Sequence, residues 1–475
     1  MLTACWRFCL TISCLAFPFW AALAEGALAP RGAPAFVGAV GYGAHANGWR
    51  GGEVVAVTTL DGHGAGSLRE CAATRGRPRV CVFKVSGTID LAQPIMAGAN
   101  LYIAGQTAPG QGIQLRLASG KVTPLVIKNT HDVLVRFIKS RPGAGVGKSP
   151  AIDALTIESG RNIYVDRLSL QFASDETVNV HVNRLPTRDI TIARSIIGLS
   201  LDKSRHPKGK HSKGALICSS EGPVDAGIPC GKVTLFANLF AHHRDRNPDL
   251  KATAGLPIEV INNVFYDPIS QFGEFYNLLG DLDVRYIGNL AVIGPSTKNR
   301  KQIAAVEGFA WDPRNKLEIF VADSRNIVCG RGKQRRLVDP AAERFLVEAA
   351  VGGSGIKPWP QAELLDRLLA HVGAGTRAWG GLDSLDRRII EQFRTCTGQV
   401  INAPEEAGGW PDLPRAMSEP DSDGDGMPDA WERDLGLDPH DRADGWRDKD
   451  RNGRADFEDY LSWLAGDAQP ATVTK

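Results

Sequence analysis

One ten-residue stretch, HHRDRNPDLK at 242–251, gathers basic side chains that are suited to hold an anion or to take up a proton. Pro248 is incompatible with a helix interior or a central strand, and the apolar segment directly before it, KVTLFANLF, is typical of a buried strand. Arg244, Arg246 and Lys251 therefore stand around a turn that leaves a strand. Basic loops are also common as plain solvated surface, so the surroundings of this turn decide its role.

Asp175 and Lys213 can be aligned with this turn when the repeated strands of the chain are compared. Asp175 follows Ile163 by 12 residues, and Arg246 follows Val233 by 13, where Ile163 and Val233 begin two of those strands. If each repeat is one coil of a solenoid, Asp175 and Arg246 lie at the same corner, about 10 Å apart. Lys213 falls between them in the sequence and is expected nearby.

Asp166 provides a second carboxylate in the same region. It lies three residues into the strand that begins at Ile163 and is predicted to point away from the inward-facing residues. Carboxylates clustered on an exposed face suit a hard cation such as Ca²⁺. Ordinary surface ion pairs are the alternative interpretation.

Two acidic loops near the end of the chain have the spacing of EF-hand-type calcium loops. DSDGDGMPDAWE (421–432) and DKDRNGRADFED (448–459) each carry glycine at loop position 6, and both place oxygen-bearing side chains at the ligand positions. The predicted tail ligands are Asp421, Asp423, Asp425, Asp429, Glu432, Asp448, Asp450, Asn452, Asp456 and Asp459. One such loop could be an Asp/Gly-rich linker, but two with this spacing indicate a calcium module with a structural or docking role.

A short strand-like phrase recurs through the middle of the chain and predicts how these residues are positioned. It appears as LYIAG, VLVRF, IYVDR, ITIAR, VTLFAN, IEVINN and VRYIGN, starting at 101, 133, 163, 190, 233, 258 and 284. A TIM barrel would need an amphipathic helix after each strand, which the intervening segments lack. A β-sandwich remains open, but the near-constant period favours an all-β solenoid, the parallel β-helix.

Smaller features refine the predicted solenoid. Asn238, Asn263 and Asn289 each follow the start of their strand by five residues, which predicts a ladder of hydrogen-bonded amides on stacked coils. The segment SLRE from Ser67 is a capping box and predicts a short helix that closes one end of the stack. Residues near 361–400 have helical spacing.

The composition limits the cellular context and the partners. The chain has 475 residues and a net charge of +2, which gives no reason to expect nucleic-acid binding. Residues 1–24 have the pattern of a secretory signal, no later segment is apolar enough to span a membrane, and the mature protein is expected to be exported. Six cysteines remain after the signal, and sequence proximity favours Cys71–Cys81, Cys218–Cys230 and Cys329–Cys396 among the pairings they allow.

Several motifs together resemble the pectate lyases of polysaccharide lyase family 1. From about residue 36 to 414 these are GYGAHANGWRGG, VSGTIDL, IAGQTAPGQGI, NIYVDRLSLQFASDETVNV, HSKGALICSS, LFAHHRDRNPDLK and EEAGGWPDLP. The resemblance implies a right-handed parallel β-helix that cleaves polygalacturonate, or a related uronate polymer, by Ca²⁺-dependent β-elimination. The acidic tail is similar to the dockerin-like calcium modules of secreted polysaccharidases.

The resemblance also implies roles for individual residues. Arg246 matches the arginine proposed as the family's catalytic base, Lys213 matches its substrate-binding lysine, and Lys251 stands where a second substrate-binding cation is usual; Arg244 is a further candidate for substrate binding. Asp166 and Asp175 match calcium ligands.

The chain departs from the family pattern at three positions. Asn179 stands where the second acid of a D-x-x-x-D pair is usual and would be a neutral calcium ligand. Arg167 replaces a histidine, and Asp249 stands in place of an arginine. These changes bear on calcium affinity and on the identity of the substrate.

Two other function classes remain open at this stage. A β-helix glycoside hydrolase would need two carboxylates as acid and base, and a basic turn has no part in that scheme. A non-catalytic carbohydrate-binding protein is the other alternative.

The expected organisation is a signal at 1–24, a catalytic β-helix at 25–300, an extension packed on it at 301–414 and a small α-helical calcium-loop module at 415–475. We expect a monomer with an acidic polysaccharide as substrate, and a docking partner for the tail.

Overall fold

The computed structural model describes residues 33–73, 76–119, 122–145, 151–350 and 352–467, and in these ranges the chain winds through three parallel sheets in turn. Sheet 1 has ten strands: β1 (Glu53–Val57), β2 (Arg79–Phe83), β5 (Leu101–Ala104), β8 (His131–Arg136), β11 (Arg161–Asp166), β14 (Thr187–Ala193), β17 (Cys230–Phe236), β20 (Ile258–Ile261), β23 (Leu282–Ile287) and β26 (Leu317–Ala322). Sheet 2 has nine: β3 (Gly87–Leu91), β6 (Ile113–Leu117), β9 (Ile138–Ser140), β12 (Ser169–Gln171), β15 (Ile196–Gly198), β18 (Leu239–Ala241), β21 (Val264–Tyr266), β24 (Leu290–Ile293) and β27 (Arg325–Val328). Sheet 3 has eight: β4 (Ile95–Met96), β7 (Leu125–Lys128), β10 (Leu155–Glu158), β13 (Glu176–Val182), β16 (Lys213–Ser220), β19 (Asp249–Leu250), β22 (Gly273–Tyr276) and β25 (Val306–Phe309).

The seven repeated phrases all form strands of sheet 1, and they stack in the register that their starts predict. Val133 pairs with Ile163, Ile163 with Ile190, and the same row continues through Val233 and Ile258. These residues are fully buried in the interior between the three sheets, where successive coils place like side chains over one another. The predicted right-handed parallel β-helix is confirmed, and its coils continue to β27, beyond residue 300.

A sharp corner joins the central strands of sheet 1 to the strands of sheet 2 that follow them. The residue at the corner has a left-handed backbone on successive coils, with φ of +56° at Phe137, +51° at Arg167, +48° at Arg194 and +55° at Ala237. This conformation is unfavourable for residues other than glycine. Its recurrence at the same place indicates that strand pairing on both sides of the corner imposes it.

The predicted asparagine ladder stands directly after this corner. The Asn238 side-chain amide donates to Asn263 Oδ1 over 3.0 Å, and that of Asn263 donates to Asn289 Oδ1 over 3.2 Å. The same oxygens accept the backbone N–H groups of Asn238 and Asn263, over 3.0 and 2.8 Å. Each amide therefore satisfies a buried backbone group as well as its neighbour.

Helices cover the parts of the coils that the sheets leave open. They are α1 (Leu68–Ala73), α2 (Leu364–His371), α3 (Ser384–Thr395), α4 (Asp429–Leu435) and α5 (Asp456–Ala465). The predicted capping interaction precedes α1, where Ser67 Oγ accepts a hydrogen bond from the Glu70 N–H. Glu70 Oε2 in turn accepts from the Gly66 N–H over 2.7 Å, whereas a capping box would use the N–H of Ser67 itself. Helices α2 and α3 pack on sheet 2, as helical spacing near 361–400 predicted.

The three disulfides favoured by sequence proximity are present. They join Cys71 to Cys81, Cys218 to Cys230 and Cys329 to Cys396. The last of these ties the end of β27 to the end of α3, so it fixes the C-terminal extension to the coils. Cys5, Cys9 and Cys14, together with the predicted signal at 1–24, lie outside the described residues.

The acidic tail packs along the outer face of sheet 1. Met427, Phe457 and Leu461 are buried in one apolar cluster with Val82 and Tyr102 of the coils. The sequence indicates a separate module, but its apolar side is used against the β-helix. No helix in the described part of the chain is long and apolar enough to cross a membrane.

Candidate active site

A cleft of about 400 Å³ lies on the outer face of sheet 3. Its lining residues are Lys213, Asp245, Arg246, Asp249, Lys251, Gln271, Glu274, Tyr276, Leu278 and Trp311. Strand pairing positions Lys213. Glu176 of β13 pairs with Lys213 of β16, and Lys213 forms a parallel β-bridge with Asp245 on the next coil. The basic turn of residues 242–248 leads from β18 into β19 at this point, and it therefore belongs to a cleft on the sheet.

The basic residues of the cleft are all paired with carboxylates. Arg246, whose φ is +60°, donates to Glu176, and its Nε lies 3.5 Å from Asp249 Oδ2. Lys213 Nζ lies 2.6 Å from Asp245 Oδ1, and Lys251 Nζ lies 3.9 Å from the Asp249 carboxylate. The structure thus brings Lys213, Arg246 and Lys251 together, as the sequence predicts.

Three buried carboxylates gather beside Arg246. Asp153, Asp175 and Glu176 have oxygens within 4.8 Å of one another. Burial, and then the neighbouring Asp175 carboxylate, raise the pKa of Asp153 to about 7. Asp153 Oδ1 is buried and has no hydrogen-bond partner within the described ranges. Carboxylates that crowd in this way, with an unpartnered oxygen among them, fit a hard divalent cation.

Two histidines hold Asp175 from the other side. His211 Nε2 lies 2.7 Å from Asp175 Oδ1 and His206 Nε2 lies 3.5 Å from Oδ2. Burial disfavours the charged form of Asp175. The hydrogen bond from His211 and the nearby cationic groups outweigh this effect, so the pKa of Asp175 is lowered. The two imidazoles are stacked with their centroids 3.9 Å apart. They come from the loop between β15 and β16, for which the sequence analysis predicts no role.

Asp166 does not join this group, and its assignment as a calcium ligand needs correction. It is fully buried at the end of β11, in sheet 1, with Arg136 Nη2 at 2.8 Å and Arg194 Nε at 2.6 Å. Both carboxylate oxygens are therefore occupied by guanidinium groups. The alternation along β11 correctly places Asp166 outside the coils, but the tail covers that face.

Arg244 and Arg167 are likewise engaged elsewhere. Arg244 makes a bidentate pair with Asp202, with both N–O distances at 2.6 Å, so it is not free to bind substrate as proposed from the sequence. Arg167 donates to the carbonyl oxygen of Ala465 in α5 and lies 3.4 Å from Asp467. The residue that replaces the family histidine therefore holds the tail.

The sequence analysis missed Asp153 and Glu176. Strand register provides the signal that would have found them, because Thr156 pairs with Asn179 and Leu155 with Val178. Asp153 and Glu176 each stand two residues before the paired Leu155 and Val178. The apolar alternation of β10 was not recognised as one of the repeats.

Asn179, the third predicted ligand, lies on the outer face of β13 next to this group. Its Oδ1 accepts from Ser219 Oγ over 2.8 Å, and its side chain lowers the pKa of the neighbouring Asp153. It is therefore close enough to contribute to a cation site, although its oxygen has a partner in this structure.

The first acidic loop of the tail builds a second carboxylate group. Asp423, Asp425, Glu432 and Asp444 have oxygens within 4.8 Å of one another. Burial and the surrounding carboxylates raise the pKa of Asp425 to about 7 and that of Glu432 to about 8. Both oxygens of the fully buried Glu432 lack a hydrogen-bond partner in the described ranges. This donor set also fits Ca²⁺.

The other predicted tail ligands have different partners. Asp429 accepts from Ser422 N and Oγ, and Asp421 is paired with Lys84 of the coils. Asp444, from beyond the loop, completes the group instead. The full EF-hand pattern is therefore not reproduced at loop positions 1 and 9.

The second acidic loop is closed by its own side chains. Asn452 donates to Asp450 over 2.9 Å and to Asp459 over 2.6 Å, and Arg454 lies 2.6 Å from the other Asp459 oxygen. Asp448 accepts from two backbone N–H groups. Only Asp456 retains a buried unpartnered oxygen, and burial raises its pKa to about 6.

Comparisons with known proteins show what the chain as a whole is similar to. No family model matches the chain. It is 32% identical to a probable pectate lyase C of Aspergillus flavus over 421 residues, which cover 86% of this chain and 88% of that protein. It is 30% identical to a probable pectate lyase C of Neosartorya fischeri over 439 residues, covering 90% and 93%. The crystal structure of Jun a 1, the major allergen from cedar pollen, matches with a TM-score of 0.51 at 19% identity, over 70% of this chain and 92% of that one, and so shares the fold.

Proposed function

The chain belongs to the pectate lyase family of enzymes, and we propose that it cleaves polygalacturonate, or a related uronate polymer, by calcium-dependent β-elimination outside the cell. The observation that carries this proposal is the cleft on sheet 3. There Lys213, Arg246 and Lys251 stand next to a group of buried carboxylates. Cations to hold uronate carboxylates and acids to hold a metal are what this chemistry requires.

Asp153, Asp175 and Glu176 are the residues that would hold the catalytic calcium ion, with Asn179 beside them. When bound, the ion would neutralise a substrate carboxylate and so acidify the neighbouring C–H group. His206 and His211 fix the orientation of Asp175 toward this group.

The reaction moves one proton and breaks one C–O bond. A base takes the proton from C5 of a galacturonate residue, the electron pair forms the C4–C5 double bond, and the C4–O bond breaks with the departing oxygen taking up a proton. Lys213 and Lys251 are placed to hold carboxylates and to stabilise negative charge that develops next to C5. No covalent intermediate is required.

Arg246 is the proposed base. An arginine acts as a base only with a free nitrogen lone pair, whereas here its guanidinium donates to Glu176. The proposal therefore requires Glu176 to be engaged elsewhere in the working enzyme, as it is when it serves as a metal ligand. The positive charges of Lys213, Lys251 and a bound calcium ion would then favour loss of a guanidinium proton by charge repulsion.

The decisive experiment follows the unsaturated product. Elimination creates a double bond conjugated to the carboxylate, which absorbs near the ultraviolet edge, whereas hydrolysis creates none. We expect absorbance to rise with polygalacturonate and Ca²⁺ and to stop when a chelator is added. A folded protein that releases reducing ends without absorbance, or neither, contradicts the proposal.

The remaining expectations concern organisation and context. Because the coils continue to β27, we propose that the catalytic β-helix runs past the expected boundary of 25–300 to Val328 and that the rest of 301–414 is the extension packed on it. We also propose that residues 1–24 direct export. We further propose that residues 415–475 form a calcium-stabilised module whose main role is structural, since its apolar side packs on sheet 1. A docking partner would have to use the opposite side, which exposes Trp463.

A further inference from the structure

The cleft changes its electrostatic character along sheet 3. Beyond Arg246, toward the C-terminal coils, strand pairing sets Asp249 beside Glu274, and Glu274 beside Glu307. The carboxylates of Asp249, Asp245 and Glu307 each raise the pKa of Glu274. Arg246 and Lys251 lie 3.5 and 3.9 Å from Asp249 Oδ2, but no lysine or arginine of the described residues forms an ion pair with Glu274 or Glu307.

These carboxylates are prepared to accept hydrogen bonds. Asp249 is only 4% exposed and lines the cleft, yet its Oδ1 has no hydrogen-bond partner among the described residues. Glu274 Oε1 accepts from Gln271 Nε2 over 2.7 Å and from the Tyr276 hydroxyl over 2.9 Å. An unpartnered buried oxygen in a cleft is costly unless a ligand donates to it. Hydroxyl groups are suitable donors, whereas a further carboxylate is not.

An exposed aromatic ring completes this half of the cleft. Trp311 is 68% exposed and, like Tyr276, lines the cleft. Its backbone N–H donates to Asn277 Oδ1 over 2.6 Å, which fixes the loop that carries it. Tyr276 is stacked on Phe309 with ring centroids 4.7 Å apart. A large apolar face with nearby acceptors is suited to the C–H face and the hydroxyl groups of a pyranose ring.

We propose that the part of the cleft formed by Asp249, Glu274, Tyr276 and Trp311 binds an uncharged sugar residue, which in a pectic chain is a methyl-esterified galacturonate. This inference rests on the proposed function for the identity of the polymer. The Arg246 half of the cleft holds ionised carboxylates, and the acidic half rejects them because like charges at close range repel. The enzyme then acts where a free acid stands next to an ester.

Binding measurements test this inference without relying on turnover. The ligands are trigalacturonate and its trimethyl ester, titrated calorimetrically at pH 8.5 against the full chain carrying Arg246→Lys, so that neither ligand is consumed. Adding Glu274→Gln keeps the hydrogen bonds from Gln271 and Tyr276 but removes the charge. We expect this change to strengthen the binding of trigalacturonate by about tenfold, because one like charge at close range is lost. The affinity for the ester should stay within about twofold.

Two further variants complete the design. Trp311→Ala should weaken both ligands by about tenfold through loss of ring contact. Glu391→Gln, an exposed carboxylate on α3 outside the cleft, is the matched control and should change neither.

Three outcomes would overturn the inference: equal effects of Glu274→Gln on both ligands, weaker binding of trigalacturonate, or a charge effect that disappears in excess Ca²⁺. The third outcome would mean that a calcium ion bridges the acidic side chains and a substrate carboxylate, so that the acidic half of the cleft binds carboxylates. If instead the ester preference is found but wild type makes no unsaturated product from any uronate polymer, the inference stands and the proposed lyase function fails.

Discussion

Each functional side chain of the cleft depends on its immediate partners. Arg246 is paired with Glu176, Lys213 with Asp245, and Lys251 is near Asp249. These pairs keep long, flexible cations in place, and a substrate carboxylate can replace the protein carboxylate without leaving the cation unpaired. Residue-scale changes should therefore affect substrate handling more than folding.

Replacing Arg246 by lysine should lower kcat by about a hundredfold or more, which is the usual range for loss of a proton-transfer group. Lysine keeps the charge but has a shorter reach and a single nitrogen. Steady-state kinetics with circular dichroism as a check on folding measures this. Arg244→Lys is the control, because Arg244 is bound to Asp202; Lys251→Ala should mainly raise KM. Wild-type turnover in Arg246→Lys would remove the turn from the mechanism.

Glu274 should make stability depend on pH. Burial, followed by the Asp249, Asp245 and Glu307 carboxylates, raises its pKa from 4.5 to about 7, while the Tyr276 hydrogen bond acts in the opposite direction. Between these values the folded chain holds a proton that the unfolded chain has lost, so the contribution of Glu274 to stability falls as pH rises from about 4.5 to 7. Above that it is a constant cost of at most about 3 kcal/mol.

The variant Glu274→Gln should therefore be more stable than wild type at pH 8, with the difference shrinking toward pH 4.5. Thermal unfolding of both proteins across this range measures it. Asp249, whose pKa burial raises to about 6, titrates in the same window, so the comparison with wild type at each pH is the relevant quantity. A difference in stability that does not change with pH would show that ionisation of Glu274 does not destabilise the folded chain.

At the scale of elements, the corner between sheets 1 and 2 combines backbone strain with a compensating network. Left-handed residues turn the chain, and the asparagines that follow bind backbone groups on neighbouring coils. Asn263 is central, because its side chain also donates to Leu235 O over 2.9 Å. The ladder thus supports the fold from inside and has no contact with the cleft.

Asn263→Ala should lower the free energy of unfolding by about 2–4 kcal/mol, because the buried backbone N–H of Asn238 and one of its two side-chain amide hydrogens lose their acceptor. Chemical denaturation measures the loss. Activity of the folded fraction should be unchanged, since sheet 3 is untouched. Asn289→Ala, at the next rung of the ladder, should have a similar effect by removing the acceptor for Asn263.

Across the whole molecule, the cleft and the tail occupy different faces of the β-helix. The cleft lies on sheet 3, and the tail covers the outer face of sheet 1. The tail also supplies a buried charge: Asp467 Oδ2 lies 2.7 Å from Arg136, which stands with Arg194 around Asp166. Removing the tail would leave this group of guanidiniums with too few carboxylates, a strongly destabilising change.

Calcium should stabilise the tail separately from the reaction. Chelation should lower the Tm of wild type, and Glu432→Gln should lose most of that calcium-dependent increment, because Glu432 is the fully buried member of the carboxylate group. The elimination rate of Glu432→Gln at saturating Ca²⁺ should stay within about twofold of wild type. Calcium bound in the tail stabilises the native state by mass action and takes no part in the reaction. Thermal scans with and without chelator, and product absorbance, measure the two effects.

A variant of the second loop provides the contrast for that experiment. Asp450→Asn should alter the calcium-dependent Tm less, because Asn452 and Arg454 already satisfy that loop. Loss of elimination activity in Glu432→Gln, with the fold intact, would show that the tail and cleft are coupled.

Local pattern was enough to determine the solenoid. The phrases of sheet 1 share a period and an inward apolar alternation, and strand stacking preserves that register, so Val133, Ile163 and Val233 fall in one row as predicted. The asparagine ladder follows from the same regularity, and the disulfides Cys71–Cys81 and Cys218–Cys230 join residues only 10 and 12 positions apart. The position of the basic turn was predicted for the same reason, because Arg246 follows the start of its strand by 13 residues and Asp175 follows the start of its own by 12.

Only the tertiary structure decided which charges meet. Asp166 points to the outer face as its alternation predicts, yet the tail, about 300 residues later, covers that face and places Asp467 against Arg136 and Arg167. Asp444 joins the calcium loop from outside its motif. Trp311 enters the cleft from a loop with no repeat pattern. Side-chain pairing over such separations depends on how whole faces pack, and no local period encodes it.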